Sequence, residues 1–253
     1  MTKSDPRAIR KFLSESISAV PESFQRHKKL IVLNLAGLFA ALVLLSAVGQ
    51  FRFGSTLYFY SDIGANGKFG AGAMTVVSGM CLFVSGAWLI SSARLVFLHR
   101  NAQAEAGDRP WWFLIAGLGA IFLGLDEILM VHEYLTLKMD QFGVPKLFGI
   151  DQDLYIFAVY GILAFVVLLK LLPSIHRHRN AIFPLAAVIA FFALSEVVDM
   201  IPWDALTGDQ KTILGPTEEI LKTMGAWSAA LYTELLLESV VSDIGTGIGS
   251  DDS

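Results

Sequence analysis

The chain has 253 residues, of which 54% are hydrophobic and 17% charged, with a net charge of −4 and a mean hydropathy of +0.58. Soluble domains carry roughly a quarter charged residues, so an ordinary water-soluble globule is excluded. The acidic balance leaves no basic footprint for nucleic acid. The single cysteine, Cys81, makes neither an internal disulfide nor a cysteine-based metal site.

Residues 1–29 form a basic N-terminal segment. Asp5-Pro6 is a helix-start signal, and Ile9, Phe12, Leu13, Ile17 and Val20 recur at helical spacing beside Arg7, Arg10 and Lys11. This pattern predicts an amphipathic helix lying on the inner leaflet. A cytoplasmic helix packed on the loops is the plainer alternative.

Residues 30–240 read as an all-α membrane bundle. Apolar runs are about 20 residues long, the length that crosses a ~30 Å hydrocarbon core. Six spans are expected, at 30–50, 71–98, 111–134, 154–172, 181–201 and 216–238. Thirteen of the 19 Lys and Arg fall before span one or around the 2–3 and 4–5 connections. Positive residues collect on the cytoplasmic side, so both termini are expected there, in a membrane of the bacterial inner type. Residues 241–253, rich in Gly, Ser and Asp, read as a disordered tail.

In span two, Gly72, Gly79 and Gly86 repeat every seven residues beside Ser78, Ser85 and Ser92. Small residues at this period let another helix approach closely. A polar cavity lined by the serines is the alternative.

Charge inside the apolar runs is the informative feature. Asp126 and Glu127 lie about 15 residues into span three, roughly 22 Å along the helix, and His132 and Glu133 follow at its outer end. Ser195, Glu196 and Asp199 reach a similar depth in span five. Glu218, Glu219 and Lys222 occupy the first turns of span six. Three helices thus bring polar groups to one level of the outer leaflet. Intramembrane ionisable groups are expensive and mark functional sites by default.

Asp126 and Glu133 share a helical face, as do Glu196 and Asp199. Lys222 lies four residues after Glu218 and three after Glu219, so it can pair with either. Asp126, His132 and Glu133 are expected to face inward. Convergence of all four polar groups of span three requires the helix to unwind locally.

Carboxylates with one imidazole suit a divalent metal ion, Mg²⁺, Mn²⁺, Ca²⁺ or Zn²⁺. Asp126, Glu127, Glu196, Asp199, Glu218 and Glu219 are the candidate ligands. His132 and Glu133 are the candidate general bases and Lys222 an anion-stabilising cation. One intramembrane histidine disfavours haem, and the Glu-x-x-His pairs of di-iron bundles are missing. The pattern favours a metal-dependent enzyme acting on a lipid-like substrate at the extracytoplasmic face. A cation- or proton-coupled transporter and a structural subunit held by a polar network are the alternatives. Beyond the lipid bilayer and that substrate, the glycine repeat provides for a helix-packing partner.

Overall fold

The computed structural model describes residues 72–98, 110–146, 152–201 and 207–248, with scattered positions between 29 and 52 that are all helical. The predicted helix over 1–29 lies outside the described residues but for Lys29, and span one lies only partly within them. The fold is all-helical. Its elements are α1 (Ala73–Leu98), α2 (Pro110–Leu129), α3 (Val131–Gln141), α4 (Asp153–Arg177), α5 (Ile182–Asp199) and α6 (Gly208–Ile248). Among the described residues there is no strand.

Four helices are long and apolar enough to cross a membrane: α1 from Met74, α2, α4 and α5. They mark a membrane protein and correspond to spans two to five. The helix of span six is present but fails that measure, being interrupted by Glu218, Glu219, Lys222, Glu234 and Glu238. It is also longer than expected at both ends. It starts at Gly208, placing Pro216 inside a 41-residue helix. At its other end it enters the stretch read as a disordered tail, reaching Ile248.

Span three is expected to run unbroken through residue 134. Instead the helix ends at Leu129, and Met130 adopts a left-handed conformation, φ 55° and ψ 42°. A new helix, α3, starts at Val131. This is the local unwinding that convergence of the polar groups requires.

Packing explains the rest. α1 lies against both α2 and α6, and α6 lies against α5. Gly79 and Gly86 make the α1–α2 contact: a Cβ on Gly86 would sit 2.7 Å from the Gly117 carbonyl oxygen, and one on Gly79 would sit 2.7 Å from Ile128. The helix brought close by the glycine repeat is therefore α2 of the same chain. Gly72 immediately precedes α1 with φ 73°. Serines 78, 85 and 92 are buried in the bundle.

The two ends of the bundle differ in chemistry. Leu89, Phe113, Ile175, Ile182, Leu236 and Val240 belong to one apolar cluster joining the ends of α1, α2, α4, α5 and α6. The opposite ends of the same helices carry the polar groups. By contrast, α4 stands off the bundle at mid-length, where every residue from Ala158 to Val166 except Tyr160 is exposed.

Candidate functional site

The break at Met130 builds the first part of the site. Asp126, 4% exposed, accepts a hydrogen bond from the His132 backbone N–H at 2.8 Å through one carboxylate oxygen. Its other oxygen lies 3.1 Å from His132 Nδ1. Residues six apart cannot meet on a continuous α-helix, since they are separated by about 9 Å of rise and point about 120° apart. The left-handed residue removes that restriction.

Neighbours from α4 and α3 hold the pair. The Phe157 ring lies 5.4 Å from the His132 ring, and Tyr160 packs edge-on against Phe122 beside the Asp126 carboxyl. Thr136 donates to Asp153, joining α3 to the start of α4. Asp153 is therefore engaged across helices rather than capping its own, whose cap makes no side-chain hydrogen bond.

His132 lies beyond the apolar stretch of α2. Burial alone would lower its pKa, but the hydrogen bond to Asp126 and the carboxylate charge outweigh that and raise it above 6.5. The imidazole is thus held in place, with Nδ1 committed to Asp126.

α6 supplies the second part. Lys222 Nζ lies 2.6 Å from Glu218 and 3.5 Å from Glu219, so the ammonium pairs with both glutamates. Its charge is already engaged within the helix. It also acts at Glu127, Glu196, Asp199 and His132, which puts the polar groups of α2, α3, α5 and α6 within electrostatic reach of one another. Glu219 is buried, Glu196 partly buried and Asp199 exposed. Glu127 and Glu133 are partly buried and engaged by neighbours. Among the described residues, no three His, Cys, Asp or Glu side chains group closely enough to hold a metal ion.

Several members carry no signal of their own in the sequence. Tyr160 and Phe157 are unremarkable aromatics of an apolar helix. Thr223 is fully buried and donates to the Glu219 carbonyl at 2.8 Å. Thr75, also buried, lies on α1, which has no charged residue at this end. Its seven-residue offset from the core residue Leu82 was the one available clue.

A family described as a domain of unknown function (DUF8692) matches residues 30–234. The chain belongs to that family. The matched range contains every residue of the polar cluster. No curated protein and no solved structure matches the chain.

Proposed function

We propose that this protein is a membrane enzyme that carries out proton-transfer chemistry on a lipid-like substrate at its polar end. His132 is the general base and Asp126 its orienting partner. One observation carries the reading: a non-glycine residue in the left-handed region bends the chain so that Asp126 holds both the backbone and the ring of His132. Backbone strain of this kind persists where surrounding structure over-determines it, and it clusters at functional sites. A carboxylate fixing Nδ1 leaves Nε2 as the nitrogen that takes a proton from water or a substrate hydroxyl.

The exposed middle of α4 supports access from the bilayer, because lipid there reaches the helix on nearly all sides. The apolar cluster at the other end argues against a through-path for protons or cations. Lys222, paired with Glu218 and Glu219, serves as a fixed counter-charge, and Glu133 is the second candidate base. A metal-bridged version, with Mg²⁺, Mn²⁺, Ca²⁺ or Zn²⁺ held by Asp126, Glu127, Glu196, Asp199, Glu218 and Glu219, ranks second because no three-ligand group stands behind it among the described residues. Near-stoichiometric metal in purified wild-type protein, lost in an Asp126→Asn/Glu196→Gln variant, reverses that ranking.

The proposed topology has six crossings, the stretch from 30 and α6 adding to the four apolar helices. The distribution of Lys and Arg supports a topology with both termini in the cytoplasm and the polar end outside, in a membrane of the bacterial inner type. The test is lipid turnover, followed by mass spectrometry in proteoliposomes of bacterial inner-membrane lipid. His132→Gln is expected to lower turnover about 10²–10⁴-fold, the usual contribution of a general base. Equal turnover in wild type and variant, or none in either, overturns the reading.

A further inference from the structure

Thr75 is 2% exposed, and its Oγ1 is buried with no hydrogen-bond partner among the described residues. Two other buried helical hydroxyls bond back to the preceding turn, Ser85 to the Cys81 carbonyl at 2.8 Å and Thr223 to that of Glu219; Ser92, buried at mid-helix of α1, shares the lack of a partner but lies at the apolar end. Thr75 is in the first turn of α1, which begins at Ala73. An unsatisfied buried hydroxyl is costly enough to need an explanation.

Helical phase gives its direction. Gly79, four residues on, faces Ile128 and Gly124 of α2. Met74, one residue before, packs on Ile220 and Met224 of α6. Leu82, seven residues on and on the same face, packs in the interior cluster with Ala226 and Leu123. Thr75 therefore points between α2 and α6, at the level of Lys222. Lys222, at that level, pairs with Glu218 and Glu219 of α6 and is within electrostatic reach of Glu127 from α2 and of Glu196 and Asp199 from α5. Among the described residues of this group, Lys222 and His132 are the basic members.

We infer that this polar end, between α1, α2 and α6, receives a primary ammonium group, with Thr75 Oγ1 as one of its hydrogen-bond acceptors. An ammonium brings three donors and no acceptor, which suits an uncharged hydroxyl oxygen beside an excess of carboxylates. An anion would meet those carboxylates. A divalent cation would need a ligand group that the described residues do not form. This deepens the reading above, on which it rests for the source of the amine: an amine-bearing lipid headgroup.

The experiment uses the full chain in nanodiscs of phosphatidylethanolamine, its trimethylated counterpart phosphatidylcholine, or phosphatidylglycerol, with thermal unfolding as readout. Phosphatidylethanolamine is expected to raise the wild-type midpoint by about 5–10 °C over the other two. Thr75→Val should abolish that shift and be no less stable than wild type in phosphatidylglycerol, whereas Thr75→Ser should keep it. Glu127→Gln, which leaves α1 untouched, should weaken it. Ethanolamine reproducing the shift in phosphatidylglycerol discs upholds the ammonium chemistry and makes its source a solute. Equal shifts in wild type and Thr75→Val, or equal midpoints in phosphatidylethanolamine and phosphatidylcholine, overturn it. The two readings fail separately: His132→Gln should keep the shift while losing turnover, and turnover that depends on His132 without any shift leaves only the proton-transfer reading standing.

Discussion

At Met130 the left-handed backbone costs a residue with a Cβ about 1–2 kcal/mol, and the Asp126–His132 contacts are what that conformation makes available. Glycine adopts it freely. Met130→Gly is therefore expected to stabilise the protein by up to about 1 kcal/mol with the pair intact, and Met130→Ile to destabilise it by more than that. Chemical denaturation of both variants in one detergent checks the order. The pair also predicts a pH dependence. Because the folded state raises the pKa of His132, the stabilisation it gives is full below the ordinary value of 6.5 and is lost as pH rises through the higher folded value. The unfolding midpoint should fall across that window, and Asp126→Asn should flatten the fall. Both partners are conspicuous in the sequence as charges in an apolar run. Their contact is not legible there, because methionine carries none of the signals by which glycine or proline announces a break.

Among the elements, α1 and α2 show how a sequence period becomes a contact. Gly86 meets the Gly117 carbonyl and Ile121, a Cβ there lying 2.6 Å from the Ile121 side chain, so Gly86→Ala must push the helices apart. The expected cost is about 1–3 kcal/mol, the range for overpacking. Gly119, on the same bundle but with open space around its Cβ position, is the control. Gly119→Ala should leave stability unchanged or raise it by up to about 1 kcal/mol through helix propensity. Equal effects of the two substitutions would refute close packing at Gly86. The four apolar helices are readable from composition to within a few residues at most ends, because crossing length fixes them. The ends of α6 are not. At its far end, Asp243 accepts from Arg177 at 2.9 Å and His178 meets Ser239 at 2.8 Å, fastening a stretch whose composition alone reads as disordered.

Among the described residues, polarity is divided along the bundle axis: the Asp126, His132 and Lys222 groups gather at one end, and an apolar cluster packs the interior at the other, with ion pairs such as Arg177–Asp243 at its rim. This division is visible in the sequence as charges at matching depths of spans three, five and six. Which side chains touch is not, since that depends on the bend at Met130 and on α1 lying between α2 and α6. The proposed orientation makes a direct prediction. Cys81 is buried and should resist membrane-impermeant maleimide in intact cells, so single added cysteines can be read against it. Gln141→Cys, at the exposed end of α3, should label from outside. His176→Cys, exposed at the other end of the bundle, should label only after permeabilisation. Labelling of the two in the reverse order would invert the topology and put the polar end in the cytoplasm.

The break also fixes a length. α2 runs 20 residues before Met130, about 30 Å at 1.5 Å per residue, which matches an average hydrocarbon core. His132 follows two residues later, so in an average bilayer it stands where acyl chains give way to water. In a thicker membrane the same helix carries the imidazole below that boundary, and in a thinner one lifts it into the headgroups. On the proposed reading, the hydration of the proton-accepting nitrogen is then set by the chain length of the surrounding lipids, a form of control written in the host membrane rather than in any side chain.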